Sequence, residues 1–247
     1  MSLKNVRFLS GNTLKIIAAL LMVIDHVGFL LFPNVLVLRY VGRLSMPVFA
    51  FMIAEGCRYT KNRLNYFLSV AILGTLCQIV YFIFDPSATL FNILITFSFG
   101  ILTVYSLDFM KKSLLEQGFS WKIKTLSIVL FILTIVCVYI FCYFFFVDYG
   151  FFGCMLPAFA SLLDFRRIKN EKVQVLDKLF LRVLTFGVGL ALFVIASKMA
   201  WFTAYSLISL PLLSLYNGER GRLKMKYFFY LFYPLHLVII EGIYLLI

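Results

Sequence analysis

The chain has 247 residues, of which 63% are hydrophobic and 14% are charged. Soluble domains are about 45–50% apolar and about 25% charged, so this composition excludes a soluble globular protein. It predicts an all-α, polytopic integral membrane helix bundle. The formal net charge of +12 does not predict nucleic-acid binding, because the sequence holds no soluble aromatic–basic module and because lysine and arginine collect in cytoplasmic loops of such proteins.

Nine apolar segments follow in chain order, and the second and sixth are short for a full crossing. The predicted spans are Thr13–Phe32, Val41–Cys57, Leu64–Phe84, Leu90–Met110, Ile123–Val147, Phe151–Leu163, Leu179–Ser197, Met199–Leu215 and Tyr227–Ile247. We expect the first segment to remain in the protein as a transmembrane helix, because it has the length of a span and no small-residue cleavage site follows it.

Cations alternate between the breaks that separate these spans. Cationic breaks follow spans two, four, six and eight and contain Arg58, Lys61, Arg63, Lys111, Lys112, Lys122, Lys124, Arg166, Arg167, Lys169, Lys172, Lys178, Arg220, Arg222, Lys224 and Lys226. The positive-inside rule therefore predicts a multi-pass protein of the cytoplasmic membrane with its N-terminus in the cytoplasm. Arg39 and Arg43 lie in a break predicted to be external, which indicates either a function or a wrongly drawn second span.

The two histidines of the chain both lie inside predicted spans. At 1.5 Å per residue, His26 is about 18 Å and His236 about 14 Å from the cytoplasmic start of its helix. Ionisable groups near the middle of a bilayer usually face the bundle interior or a wet cavity, although an interhelical hydrogen bond that only holds helices together is the alternative. Asp25 points about 100° away from His26 on a helix, so we expect it to pair with Arg43 or Lys15, or to orient a different group.

Other polar residues allow two interpretations each. Glu55 and Arg58 share a helix face, either as a surface pair or, with Lys61 and Arg63, as an anion site suited to the phosphates of coenzyme A. Gly42 and Pro47 break the helix around Arg43, which makes this segment a candidate pocket wall. Three isolated polar residues contact either a neighbouring helix or a substrate: Gln78, Asn92 and Thr96. The segments that contain Tyr149 and Asn217, DYG and YNGERG, are typical of turns.

Six blocks of the sequence, in this order, resemble the TraX family. They are LKIIAALLMVIDHVG, LRYVGRLSMPVFAFMIAEGCRYTKNR, FNILITFSFG, DYGFFG, YNGERG and KYFFYLFYPLHLVII. They extend over nearly the whole chain, which we therefore treat as a single domain over residues 1–247. The best-known member of the family is associated with acetylation of the amino terminus of conjugative pilin. The family is also distantly similar to membrane acyltransferase family 3 and to the lysosomal heparan glucosamine N-acetyltransferase.

The resemblance implies a membrane acetyltransferase that draws acetyl-CoA from the cytoplasm and needs no metal. It assigns acyl transfer to His26, as base or nucleophile, with Asp25 tuning it or positioning a partner. Arg43 then polarises the thioester carbonyl, and His236 lines the site. The arginine that precedes this histidine in the wider group is not matched here, since Lys15 stands near the helix start. Residues expected to bind substrate or co-substrate are Glu55, Arg58, Lys61, Arg63, Asn92, Tyr149, Asn217, Arg222, Lys226 and His236.

Two other functions are compatible with the sequence. A proton-coupled transporter would use Asp25, His26, Glu55 and His236 as a proton relay. A non-catalytic assembly factor of a conjugation or envelope complex would tolerate substitution of His26 and Asp25. For the acetyltransferase, the sequence leaves the acceptor open between a peptide terminus, a sugar and an amino-group lipid, and it leaves N- and O-acetylation open.

Overall fold

The first membrane-spanning helix begins after Ser10, whose side-chain oxygen accepts a hydrogen bond from the backbone N–H of Thr13 at 3.2 Å. This cap satisfies one of the amide groups that the first turn of a helix leaves without a partner. The computed structural model describes residues 7–84, 89–222 and 225–246, and the side chains of Phe84, Lys226 and Tyr227 also lie outside the described part.

The described residues form helices and one short pair of strands. The α-helices are α1 (Gly11–Leu30), α2 (Leu36–Gly42), α3 (Ser45–Tyr59), α4 (Arg63–Phe84), α5 (Ile93–Leu115), α6 (Trp121–Phe144), α7 (Gly150–Ser161), α8 (Glu171–Gln174), α9 (Leu179–Ala196), α10 (Ala200–Thr203), α11 (Ser209–Ser214) and α12 (Lys226–Leu246). The strands are β1 (Leu90–Phe91) and β2 (Phe146–Val147), and a 3₁₀ helix over Ala204–Ile208 connects α10 to α11.

Seven helical segments of the described chain are long and apolar enough to cross a membrane. They are Gly11–Leu30, Leu36–Tyr59, Arg63–Ile83, Ile93–Leu115, Trp121–Phe144, Leu179–Ala196 and Phe228–Leu246. Two shorter apolar helices, Gly150–Ser161 and Ala200–Ser214, match the sixth and eighth predicted segments. The prediction of an all-α polytopic membrane protein is thus confirmed, with seven segments of full spanning length among the nine.

The second span is longer than predicted and is broken where its sequence indicated. It extends over Leu36–Tyr59 because α2 adds a helical turn before the predicted start. The break between α2 and α3 falls directly after Gly42, at Arg43 and Leu44. Pro47 does not cause this break, since it lies in the first turn of α3, where the missing amide hydrogen is tolerated.

The chain divides into two compact units, the first formed by Met1–Met52 and Val194–Ile247. Here α1 packs against both α2 and α12. Leu9 forms a parallel bridge with Tyr216, and the backbone N–H of Gly11 donates to the carbonyl of Glu219 at 2.7 Å. These bonds fix the start of α1 to the turn that precedes α12. Both histidines lie in this unit.

The second unit is formed by Ile53–Phe193, and α5 lies at its centre, packed against α4, α6 and α7. Gly100 of α5 lets α7 approach closely, because a Cβ atom there would lie 2.7 Å from Cγ of Pro157. The two strands pair in parallel, with Leu90 opposite Phe146 and Phe91 opposite Val147. This pair joins the start of α5 to the connection between α6 and α7.

Candidate active site

The two histidines of the chain are in contact in the first unit. The ring centroids of His26 on α1 and His236 on α12 are 5.1 Å apart, and the rings meet edge to face at 79°. His236 is 5% exposed, and its ring also stacks on Phe232 at 5.0 Å. Two imidazoles that are 210 positions apart in sequence therefore meet in one group, in which His236 is buried and His26 is half-buried.

Backbone carbonyls determine which nitrogen of each ring carries hydrogen. Nδ1 of His26 lies 2.8 Å from the carbonyl oxygen of Met22, and Nδ1 of His236 lies 3.0 Å from that of Phe232. A carbonyl oxygen only accepts, so each Nδ1 is the donor, and in the neutral ring Nε2 holds the free electron pair. Among the described residues, Nε2 of His236 has no hydrogen-bond partner. The pair thus presents basic nitrogens rather than N–H groups.

Asp25, next to His26 in sequence, faces α2 and binds two arginines. Its Oδ2 lies 2.7 Å from Nη2 of Arg43 and 2.9 Å from Nη1 of Arg39. Nη1 of Arg39 also donates to the backbone carbonyl of Asp25 at 3.0 Å. The predicted pairing of Asp25 with Arg43 is confirmed, and Asp25 does not orient the ring of His26, which bonds to Met22. The cations that seemed misplaced in an external break are counter-ions of this carboxylate.

Arg39 is a site residue that the sequence prediction missed. It lies four positions before Arg43 on a helix, so both side chains reach one face. Its guanidinium lies 4.8 Å from the ring centroid of Phe29, and that of Arg43 lies 4.9 Å from the ring of Phe202. Two arginines and one aspartate give this cluster a formal charge of +1, beside the histidine pair.

Gly42 makes the contact between α1 and α2 possible. A Cβ atom at this position would lie 2.3 Å from Cβ and 2.6 Å from Oδ1 of Asp25. Only a residue without a side chain lets the two backbones come this close. The sequence therefore places a glycine where the arginine-bearing helix meets the helix of Asp25 and His26.

In the second unit, two of the three cations predicted to hold coenzyme A phosphates, Arg58 and Arg63, are bound to carboxylates. Arg58 pairs with Asp164 and, at 2.9 Å, with Asp177. Arg63 pairs with Asp108. An incoming phosphate at either arginine would compete with these acids, so both side chains are placed as structural partners rather than as vacant anion sites.

The same network includes two buried cations that the sequence analysis did not single out. Arg182 pairs with Glu55, and their side chains are 5% and 6% exposed. Lys111 donates to the backbone carbonyls of Ser161 and Asp164 at 2.6 and 2.8 Å. The sequence could have identified Arg182, because it is the fourth residue of an apolar span. A charged side chain there costs free energy unless it has a partner or a function.

Three predicted binding residues take part in turns and helix caps. Oδ1 of Asn92 accepts from the backbone N–H of Leu94, and its Nδ2 donates to the carbonyl of Gly74 at 2.9 Å. Tyr149 has a positive φ of 62° and precedes α7. Oδ1 of Asn217 accepts from the backbone N–H of Glu219 at 2.8 Å. The geometry therefore supports a structural role in a cap or turn for each of these three residues, which the sequence had allowed beside a role in binding.

The remaining predicted binding residues are cations. Lys61, in the turn between α3 and α4, and Arg222, in the segment before α12, are both exposed. The side chain of Lys226 lies outside the described residues. Among those residues, no group of three or more His, Cys, Asp or Glu side chains is placed to hold a metal ion.

The predicted binding residues of the second unit do not form one compact site. Arg63 contacts Asp108 near the end of α5, whereas Asn92 caps the start of that helix. The sixteen positions between Asn92 and Asp108 correspond to about 24 Å at 1.5 Å per residue. A single small ligand does not reach both ends, so the histidine pair and the Asp25 cluster are the candidate active site of the described structure.

Comparison with known proteins assigns the chain to a family. A family model described as TraX protein matches residues 10–244. The chain is 25% identical over 256 residues to "Probable fimbrial assembly protein FimC, serogroup H1" of Dichelobacter nodosus, and the match covers 96% of each chain. It is 33% identical over 94 residues to "Uncharacterized protein RP591" of Rickettsia prowazekii (strain Madrid E), covering 38% of this chain and 36% of that relative. No solved structure matches the chain significantly.

Proposed function

Because the chain belongs to the TraX family, we propose that it is a membrane-embedded acetyltransferase. It moves an acetyl group from cytoplasmic acetyl-CoA to an amine or hydroxyl acceptor in or across the membrane. The observation that carries this proposal is the contact between His26 and His236, whose Nδ1 atoms are both bonded to backbone carbonyls.

This arrangement suits general-base catalysis of acyl transfer. The N–H or O–H of the acceptor donates to Nε2 of an imidazole, and the acceptor atom attacks the thioester carbonyl carbon. The carbon–sulfur bond then breaks, and the proton taken up by the imidazole passes to the departing thiolate. The products are the acetylated acceptor and free coenzyme A. Since His26 is fixed at Nδ1 by Met22, its ring keeps one nitrogen available throughout.

The arginine cluster supplies the charge that this reaction needs. The tetrahedral intermediate carries a negative oxygen, and preorganised cations stabilise such an oxyanion in a dry site. Arg39, Arg43 and Asp25 together have a formal charge of +1, and Asp25 is the residue directly before His26. Asp25 orients both guanidinium groups and limits the cost of burying them.

The adenosine phosphates of acetyl-CoA are the part of the co-substrate that must stay in water. Lys61 and Arg222 are exposed cations in connections that the positive-inside rule assigns to the cytoplasm. Since Arg58 and Arg63 are paired with acids, we assign phosphate binding to Arg222, the exposed cation in the unit that contains the histidine pair.

Calorimetric titration of the purified protein in detergent tests this proposal. Acetyl-CoA is expected to bind saturably, Arg222→Ala is expected to weaken binding, and Lys198→Ala, which replaces an exposed cation in a connection predicted to be external, is expected to leave binding unchanged. Absence of any heat in a well-folded sample, together with no thermal stabilisation by acetyl-CoA, contradicts the proposal.

A non-catalytic assembly factor is the second candidate. It is favoured by the relative from Dichelobacter nodosus, which is named a probable fimbrial assembly protein and matches over 96% of its length. This candidate predicts that the His26→Ala variant fully complements a deletion strain. The acetyltransferase predicts that the same variant fails to complement while it accumulates normally in the membrane.

A further inference from the structure

Two cysteines of the second unit have their sulfur atoms in contact. Cys142 lies in the last turn of α6, Cys154 lies near the start of α7, and their Sγ atoms are 3.9 Å apart. Cys154 is fully buried, whereas Cys142 is half-buried. A disulfide forms without backbone movement only where the two side chains point toward each other. The sulfur–sulfur contact satisfies that condition, and each sulfur has to move by about 1 Å to reach the bond length of about 2 Å.

Packing and hydrogen bonds on both sides fix the two cysteines in this position. Cys154 belongs to a buried apolar cluster with Val147, and Cys142 packs against the same cluster. Val147 is part of β2, which pairs with β1. Oγ1 of Thr96 on α5 donates to the backbone carbonyl of Asp148 at 2.7 Å. The connection between the two cysteines is therefore ordered by contacts other than the sulfurs, so the folded chain brings the thiols together by itself.

The cysteine pair lies at the end of α6 that the charge distribution predicts to be external. Five segments long enough to cross a membrane lead from the N-terminus to the end of α6. With the N-terminus in the cytoplasm, an odd number of crossings places that end outside. Cys142 is two residues from the end of α6, or about 3 Å along the helix axis, and Cys154 is four residues from the start of α7, or about 6 Å. Both thiols are therefore predicted to lie near the external surface, on the side of the membrane where disulfides form and persist.

We propose that Cys142 and Cys154 form a disulfide bond by exchange with a protein disulfide outside the cytoplasm. The half-buried Cys142 is the sulfur that this oxidant reaches, and its thiolate attacks the disulfide of the oxidant and releases the first of its two sulfurs as a thiolate. The thiolate of Cys154 then attacks Sγ of Cys142 and releases the second. The new sulfur–sulfur bond replaces that of the oxidant, which takes up two electrons, and the two thiol protons end on the thiols of the oxidant. This inference is independent of the proposed acetyltransferase function.

The bond fastens a helix that has few buried side chains. In the described structure α6 buries two residues, Ser127 and Val138. The disulfide closes a loop between positions 142 and 154 and so reduces the conformational freedom of the unfolded chain. It also ties the external end of α6 to α7, which packs against the central helix α5. We therefore expect the oxidised protein to be more stable than the reduced protein.

Thiol trapping in intact cells tests whether the bond is present. Bacteria with an oxidising periplasm express the full chain and are quenched in acid, free thiols are blocked with N-ethylmaleimide, and thiols released by reduction are labelled with iodoacetamide. Mass spectrometry is expected to find the second label on Cys142 and Cys154, and Cys142→Ser is expected to leave Cys154 with the first label. Cys137→Ser, at an exposed position of the same helix, is the matched control and is expected to keep the wild-type pattern on the pair. The first label on both cysteines of the wild-type protein overturns the proposal.

Unfolding of the purified protein in glutathione redox buffers tests what the bond does. In detergent, oxidised glutathione is expected to remove two hydrogens from the wild-type chain and to raise its unfolding temperature by several degrees over that of the reduced protein. Cys137→Ser is expected to show the same difference between the two buffers, and Cys142→Ser is expected to show none. Glutathione that stays attached to Cys142 would mean that Cys154 does not reach this sulfur, and that result overturns the proposal. Equal unfolding temperatures of the linked and the reduced protein overturn the stabilising role of the bond.

Discussion

At the scale of single residues, one carboxylate of the candidate site holds two partly buried cations. Asp25 pairs with Arg39 and Arg43, and the three side chains are 10%, 19% and 14% exposed. Removing one partner of a buried ion pair is costly, because the charge that remains keeps its desolvation penalty. The effect of a substitution therefore depends on which charge it leaves behind.

We predict that Asp25→Asn destabilises the protein by about 3–5 kcal/mol, because it leaves two arginines without their carboxylate. Arg39→Met is expected to cost less, since Asp25 keeps Arg43. Thermal unfolding in detergent measures both variants. A smaller loss for Asp25→Asn than for Arg39→Met contradicts this description of the cluster.

We predict that His236 lowers the stability of the fold, because its buried Nε2 has no hydrogen-bond partner among the described residues, and that the same residue is needed for acetyl transfer. Phe is similar in size and removes the unpartnered Nε2, so His236→Phe is expected to stabilise the fold by about 1 kcal/mol. The same variant is expected to lose acetyl transfer, because it removes one imidazole of the proposed catalytic pair. Chemical unfolding and product analysis on one preparation measure the two effects. A destabilised variant with normal transfer contradicts both parts of this prediction.

At the scale of helices, close contact between α1 and α2 is what brings the arginines to Asp25. Gly42→Ala would place its Cβ 2.3 Å from Cβ of Asp25, so one of the helices has to move. We predict a loss of about 1–3 kcal/mol, the usual cost of overpacking, together with loss of transfer. Gly242→Ala on α12 is the matched control, because in the described structure no atom beyond its chain neighbours and its own helix backbone lies within 4 Å of the Cβ added there. Unfolding temperatures that are equal for the two variants contradict the predicted contact.

The ion pairs of the second unit are predicted to be structural. Arg182→Met removes the ion-pair partner of the buried Glu55, at an expected cost of about 3–5 kcal/mol, and the double variant Glu55→Leu, Arg182→Met is expected to recover most of that loss. Unfolding of the two single variants and the double variant gives the coupling energy. Additive losses would show that the pair does not act as a unit.

The sequence allowed the spans and four of the five residues of the candidate site, His26, His236, Asp25 and Arg43, to be predicted, for physical reasons. Apolar length identifies a span whatever its neighbours are, and the depth of His26 and His236 follows from counting residues. The partners of Arg58 could not be predicted, because Asp164 and Asp177 are more than a hundred positions away in sequence. They also lie in a loop whose cations are typical of a cytoplasmic connection, so its two acids did not stand out. Arg39 was predicted to lie in a connection outside the membrane, because the second span was predicted to begin only at Val41. In the structure Arg39 lies within α2.

At the scale of the whole molecule, the distribution of cations predicts the orientation in the membrane. With the N-terminus in the cytoplasm and all nine predicted segments crossing the membrane, the turn at Lys61 is predicted to be internal and the connection at Lys198 external. Both side chains are exposed. In a background without the five native cysteines, we expect Lys198→Cys to react with an impermeant maleimide in intact cells and Lys61→Cys to react only after lysis. The reverse pattern contradicts the orientation.

The family match covers residues of both compact units, from position 10 to position 244. The prediction of a single domain over residues 1–247 stays a prediction. Co-expression of the two units as separate chains tests this prediction. Separate units that fold but do not associate would contradict a single domain.

Transfer of a radiolabelled acetyl group from acetyl-CoA to a mixture of n-butylamine and n-dodecylamine is the most direct test of acyl transfer by the histidine pair. We predict that the wild-type protein forms acetylated amine and that His26→Ala is at least about 100-fold slower, the usual contribution of a general base. The acetyl-CoA binding and the unfolding temperature of His26→Ala are expected to stay near those of the wild type. An undiminished rate in His26→Ala would contradict the role of the histidine pair in acyl transfer.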